Sequence, residues 1–150
     1  MRTILALVLL TTPTFALSEQ PPNTEVAEVR EAIAAMSDAA ADLDAEKFMQ
    51  WYWKSPSLAI TFDEQTLRGW DQILTEQRKW WSNKNAGLQF EDERPPELVR
   101  QAPGIVTSIQ WMTVKSKEHD GNPAKLVITS VWRKQPDGWR VILAHETLAQ

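Results

Sequence analysis

The spacing of apolar residues predicts an α+β domain whose helices precede its sheet. Six apolar residues near the start of the chain recur at spacings of three and four: Val26, Val29, Ile33, Met36, Ala40 and Leu43. This period predicts an amphipathic helix. Thr24 stands where an N-cap is expected, and Glu25 and Glu28 complement the helix dipole.

The middle of the chain predicts two more helices separated by one strand. Asp44 is expected to cap a short helix that runs to about Trp53, and Pro56 prevents its continuation. The segment 57–63 alternates apolar and polar residues and therefore predicts a strand, followed by a turn. Gly69 is expected to open a third helix over 70–84.

The last third predicts the main part of the sheet. Two short strands, interrupted by Pro95-Pro96, precede three runs rich in Val, Ile, Thr and Trp over 105–117, 125–134 and 139–147. An Asp-Gly pair lies in each of the two connections, which indicates tight hairpin turns. We therefore expect an α+β fold in which a curved antiparallel sheet wraps around the N-terminal helices and leaves a cone with a mouth.

The first residues predict export. Arg2 precedes an apolar run, and Thr14 and Ala16 stand where a signal peptidase reads small residues. We interpret 1–16 as a signal peptide, 17–23 as a flexible lead-in and 24–150 as a single domain. The mature chain is then expected in the periplasm or secreted, with no membrane association after cleavage.

Composition narrows the classes of partner. Without Arg2, the mature chain has 15 basic against 20 acidic residues, which argues against a nucleic-acid partner. There is no cysteine, so the exported fold has no disulfides and depends on its core. Eight tryptophans provide a large aromatic surface that must be buried, line a pocket or form an interface.

Particular residues resemble the nuclear transport factor 2-like superfamily, in its SnoaL-like and ketosteroid-isomerase-like branch. The matching features are Leu-Asp-Ala-Glu after the first helix, the strand LAITFD, Gly69 before the third helix and the ending TSVWRKQPDGWRVILAHET. Members commonly end with a histidine six residues after a tryptophan, as His145 follows Trp139. The resemblance covers about Thr24 to Thr147 and implies the cone-shaped, cystatin-like fold.

Two positions depart from the family pattern. Val127 stands where members often carry an arginine, and Thr147 stands where they often carry a serine. Absence of the arginine argues against an anionic ligand held in the usual way.

His145 is the first candidate for chemistry. If the last strand alternates regularly, Trp139, Val141, Leu143 and His145 share an apolar face. His145 then acts as a general acid or base at the mouth of the cone, or it is a neutral histidine with a structural hydrogen bond.

Two further residues are candidates. Asp63 ends the first predicted strand and is either a base for proton abstraction next to a carbonyl or an ordinary turn residue. Tyr52 is the only tyrosine. The resemblance implies that it could donate a hydrogen bond to an enolate oxygen, and the alternative is a helix residue with its hydroxyl at the surface.

Candidate ligand-binding residues are mostly aromatic. We expect them to be Tyr52, Trp70, Trp111, Trp132 and His145, although an ordinary core role is the alternative for each tryptophan. No metal site and no cofactor is predicted, because the chain lacks cysteine, has two distant histidines and has no glycine-rich phosphate loop.

Three functions remain open from the sequence. The first is binding of a small apolar molecule in the cone, with or without self-association as a homodimer. The second is an isomerase, dehydratase or cyclase that acts next to a carbonyl. The third is a periplasmic protein-interaction module.

Overall fold

The computed structural model describes residues 23–117 and 123–149. Three α-helices and seven strands follow one another as α1 (Thr24–Ala41), α2 (Ala45–Met49), β1 (Ala59–Phe62), β2 (Gln65–Arg68), α3 (Trp70–Trp80), β3 (Gln89–Asp92), β4 (Glu97–Ala102), β5 (Ile105–Lys115), β6 (Ala124–Gln135) and β7 (Gly138–Ala149), with a 3₁₀ turn at Lys84–Ala86. The predicted signal peptide and the connection at 118–122 lie outside the described residues and stay predictions. No helix in the described ranges is long and apolar enough to cross a membrane.

The helices form where the apolar periods predicted them, with shifted ends. Asn23, not Thr24, is the N-cap of α1, because its side chain accepts a hydrogen bond from the Glu25 amide at 3.1 Å. Asp44 caps α2 as predicted, through a 3.0 Å bond from the Lys47 amide. That helix ends at Met49 and not at about Trp53.

The sheet has the order β2-β1-β7-β6-β5, and β3 and β4 both pair with β5 at its outer edge. The predicted turn after β1 contains an additional strand, β2, which forms a hairpin with β1. All pairs are antiparallel except β1 with β7, which is parallel. The predicted α+β cone is confirmed, with a mixed sheet in place of a purely antiparallel one.

A β-bulge interrupts the last strand. Opposite the step from Val131 to Trp132 on β6, β7 runs from Leu143 to Val141, so Ile142 is an extra residue without a partner. Val141 and Ala144 are both buried, whereas Leu143 is 47% exposed. The bulge therefore exchanges the faces of all later residues on β7.

The apolar stripe of α1 packs into the concave side of the sheet. Val29, Ile33 and Met36 are at most 4% exposed and belong to one cluster with core residues of the sheet. At the start of the helix, the Glu28 carboxylate accepts hydrogen bonds from Lys134 and from the Trp139 indole. These two bonds hold α1 over the β6–β7 hairpin and cover one end of the cone.

Two serines lie directly opposite each other on the concave face. Ser108 on β5 pairs with Ser130 on β6, and both are at most 1% exposed. The indole Nε1 of the fully buried Trp132 donates to Ser108 Oγ at 3.0 Å. Ser130 Oγ has no hydrogen-bond partner.

Because Ser108 accepts a hydrogen bond and Ser130 makes none, substitution by alanine should have different effects at the two positions. Ser108→Ala strands the buried Trp132 N–H and should lower the free energy of unfolding by about 1–3 kcal/mol. Ser130→Ala removes a hydroxyl that makes no bond, so the free energy of unfolding should stay the same or rise slightly. Urea unfolding at pH 7 measures both, and equal losses in the two variants would contradict the assignment.

Candidate functional site

A cavity of about 190 Å³ lies between the helices and the concave face of the sheet. The helices contribute Met36, Ser37, Ala40, Phe48, Gln77 and Trp80, and Tyr52 follows α2. The strands contribute Phe62, Phe90, Gln110, Met112, Leu126, Ile128 and Glu146. The cavity is therefore mostly apolar, with a small number of polar groups, as is typical of ligand sites.

Aromatic rings form much of the wall. Phe48 packs against Tyr52 with ring centroids 5.4 Å apart. Phe62 from β1 packs against Trp80 from α3 at 6.1 Å. Trp80 is 46% exposed and thus marks the side of the cavity that opens to solvent.

Two polar side chains line the cavity from the sheet. Gln110, Ile128 and Glu146 lie side by side on β5, β6 and β7, and Phe62 continues this row on β1. Gln110 Oε1 is buried without a hydrogen-bond donor. The Glu146 carboxyl has no hydrogen-bond or ion-pair partner among the described residues.

Burial changes the acidity of two of these groups. The open cavity reaches Glu146, but its carboxyl is enclosed by the protein, and this burial raises its pKa from 4.5 to about 7. Burial also raises the pKa of the Tyr52 hydroxyl well above its usual value, and the nearby Glu146 carboxylate adds to this rise. At neutral pH, Tyr52 is therefore a hydrogen-bond donor, and Glu146 can gain or lose a proton.

The structure does not bring the three predicted catalytic residues together. Tyr52 lines the cavity. Asp63 is exposed in the β1–β2 turn with a φ of 49°, and its Oδ1 accepts from the Leu148 amide at 3.3 Å. His145 is exposed between Thr129 and Thr61 on the opposite, convex face of the sheet.

The face assigned to His145 from the sequence was wrong. Regular alternation placed it on the same face as Val141, but the bulge at Ile142 turns it to the convex side. The same change turns Glu146 into the cone. Sequence analysis missed Glu146 for this reason, although the unbroken apolar run Val141–Ala144 signals that the alternation fails there.

The predicted ligand-binding tryptophans lie away from the cavity. Trp132 is fully buried in the core. Trp111 lies on the convex face, where the Arg94 guanidinium stacks on its ring at 3.4 Å. Trp70 lines shallower surface pockets, and its indole N–H donates to the Met49 carbonyl at 3.0 Å. Of the predicted ligand-binding set, only Tyr52 lines the cavity.

Within the described ranges, no three His, Cys, Asp or Glu side chains lie close enough together to hold a metal ion. Of the described residues that line the cavity, Glu146 is the only one of these four types. The chemistry that the described lining offers is therefore that of one carboxyl, one phenol, one serine hydroxyl and two amides.

Comparison with known proteins shows the family. The family model of the SnoaL-like domain matches residues 29–149, which includes the cone and its cavity. The chain belongs to the SnoaL-like domain family. No curated protein matches this SnoaL-like chain.

Solved structures share the fold of this SnoaL-like domain. A protein with a cystatin-like fold from Caulobacter vibrioides is 20% identical with a TM-score of 0.73, over 85% of this chain and 92% of that one. A nuclear transport factor 2-like protein of unknown function from Shewanella oneidensis is 19% identical with a TM-score of 0.69, over 81% of this chain and 97% of that one. A nuclear transport factor 2-like protein of unknown function from Pseudomonas putida is 14% identical with a TM-score of 0.73. This match covers 83% of this chain and 86% of that one. These similarities show the fold alone.

The raised pKa of Glu146 predicts that the free energy of unfolding depends on pH. Between about 4.5 and 7 the folded state holds this proton more tightly than the unfolded state, so stability is lost as the pH rises through 7. Relative to Glu146→Gln, the wild type should lose up to about 3 kcal/mol between pH 4 and pH 8. Urea unfolding at several pH values measures the difference.

The matched control is Glu97→Gln, which removes an exposed carboxyl on β4. If the stability of Glu146→Gln followed that of the wild type at every pH, the carboxyl of Glu146 would not be buried as described.

Proposed function

We propose that this SnoaL-like domain binds a small, mostly apolar molecule in the cone-shaped cavity. The observation that supports it is a preformed cavity with aromatic walls and polar groups that lack protein partners on its sheet side. Buried polar groups are normally hydrogen-bonded, so unpaired groups beside an open space indicate room for a ligand that pairs with them.

The size of the cavity limits the ligand. An apolar protein cavity of about 150 Å³ accommodates one benzene ring. The cavity here, at about 190 Å³, fits one ring with a short substituent. Larger polycyclic molecules would require the Phe62–Trp80 pair to separate.

Filling the cavity should abolish binding of a one-ring probe. Ala40 is 6% exposed and lines the cavity from α1, so Ala40→Leu occupies the space that the ring needs. We expect benzyl alcohol to bind the wild type and raise its melting temperature, and Ala40→Leu to weaken binding at least about tenfold. Isothermal titration calorimetry measures the affinity.

Ala35→Leu is the matched control, because Ala35 lies on the exposed face of the same helix. If Ala40→Leu fails to fold, Ser37→Leu fills the cavity from a neighbouring position. Equal affinity in the filled variants and in the control would show that the probe binds elsewhere.

Proton transfer next to a carbonyl is the second candidate function, and Glu146 with Tyr52 favours it. A carboxylate with a pKa near 7 can take a proton from a carbon beside a carbonyl and return it. Tyr52 remains protonated and can donate a hydrogen bond to the enolate oxygen that forms. In this candidate mechanism Glu146 replaces Asp63 and His145 as the base.

Exchange of ketone α-protons for deuterium tests this chemistry. If the candidate is right, the wild type accelerates exchange in cyclohexanone, and Glu146→Gln lowers the rate at least about a hundredfold. Asp63→Asn and His145→Ala should leave the rate unchanged, because neither residue lines the cavity. NMR measures the exchange, and a wild-type rate equal to that of buffer would remove this candidate.

We further propose that the exported chain forms a homodimer through the convex face of the sheet. Val99, Thr107, Val131 and Leu143 form a continuous row across four strands, and Val99 and Leu143 are 55% and 47% exposed. Burial of such a row against a second copy removes apolar surface from water.

Light scattering should therefore give the mass of two chains. Leu143→Lys, which places a charge in the row, should give one chain, whereas the control Ala35→Lys on the exposed face of α1 should not change the mass. A wild-type monomer at high concentration would contradict the dimer.

A further inference from the structure

Among the described residues, the lining of the cavity carries one charged side chain and no opposite charge. Glu146 is the only carboxyl in this described lining, which contains no lysine or arginine. An ionised carboxylate without a partner inside a protein is destabilising, and a cation beside it removes that cost. The electrostatics therefore favour a cationic ligand and disfavour an anionic one.

The aromatic wall of the cavity also favours a cationic ligand. Cations are attracted to the faces of aromatic rings. Trp53, Trp70, Trp111 and Trp139 each already lie beside a lysine or arginine of the protein. The rings that line the cavity have no such partner among the described residues: Phe48, Tyr52, Phe62, Trp80 and Phe90.

Among the described residues that line the cavity from the sheet, the other unpaired buried atom is an acceptor. Gln110 Oε1 has no donor, and Gln110 is separated from Glu146 by Ile128 in the same row. Neighbouring strands lie about 4.8 Å apart, so the two backbones are about 10 Å apart and one compact molecule can lie between their side chains. Both groups are satisfied by a ligand that donates hydrogen bonds.

We propose that the ligand is a compact amine, bound as its ammonium ion, with one ring among the aromatic side chains and its N–H groups donating to the Glu146 carboxylate. This inference rests on the proposed binding function and not on the proton-transfer candidate. The expected ligand carries a single positive charge on an apolar body of about one ring.

Ionisation of Glu146 couples this binding to pH. Tyr52 is the other titratable group that lines the cavity, and it stays neutral near pH 7. Phe62 on β1 and Ile128 on β6 lie directly beside Glu146, and the described residues that line the cavity from α1 and α3 carry no charge either. Affinity for an ammonium ion should therefore fall about tenfold for each pH unit below 7 and level off above it.

Four probes of nearly equal shape test the charge of the ligand. Benzylamine, benzyl alcohol, toluene and benzoate are titrated into the full mature chain at pH 8 by calorimetry or by ligand-observed NMR. We expect benzylamine to bind at least tenfold more tightly than benzyl alcohol or toluene, and benzoate to bind weakest. Below pH 7 the affinity for benzylamine, but not for toluene, should fall.

Glu146→Gln provides the decisive variant. It should lose the preference for benzylamine and its pH dependence while it still binds toluene and benzyl alcohol. The control Glu97→Gln, which removes an exposed carboxyl on β4, should keep the preference for benzylamine and its pH dependence. Retained binding of toluene by Glu146→Gln shows at the same time that the variant is folded.

The outcomes separate the two proposals. If toluene and benzyl alcohol bind as tightly as benzylamine, the amine inference is overturned and the binding function stands. If benzylamine is preferred but Glu146→Gln keeps the preference, the assignment of Glu146 as the counterion is overturned. If no probe binds at all, the proposed binding function fails and the amine inference fails with it.

Discussion

The extra residue in the last strand decides which side chains enter the cone. Without the bulge at Ile142, His145 would face the cavity, and Glu146 would face outwards in the row of Trp111 and Val127. With the bulge, a carboxyl enters an aromatic cavity and an imidazole lies on the convex surface. One unpaired residue therefore determines the charge, the acidity and the hydrogen-bonding capacity of the site.

A carboxyl in this position lowers stability at neutral pH. The rest of the core offsets this loss of stability. The apolar stripe of α1 packs into the concave side of the sheet, and the Trp132 indole donates a hydrogen bond to Ser108. Two of the groups that lack partners among the described residues, Gln110 and Glu146, line the cavity from the concave face. Local conflict with ordinary packing rules is typical of functional sites, because a group that must pair with a ligand cannot also pair with the protein.

The two faces of the sheet serve different proposed roles. The concave face holds the cavity with Glu146, Tyr52 and Gln110, and the convex face carries the apolar row with Val99 and Leu143. Because side chains alternate along a strand, one strand such as β7 contributes to both. A substitution on β7 can thus affect ligand binding or self-association without affecting the other, which makes neighbouring residues such as Leu143 and Glu146 informative variants.

Sequence alone determined the order of elements, the apolar stripe of α1, the cap at Asp44, the long strands of the last third and the family resemblance. Those features depend on local periodicity and on motifs that are contiguous in the chain. It also indicated Tyr52, whose place after α2 brings it to the cone. Only the tertiary structure decided that Glu146, and not His145 or Asp63, lies in the cavity. The register of β7 depends on how it pairs with β6 and β1 at once. The apolar run Val141–Ala144 signals that the alternation fails, but it does not specify which residue is the extra one.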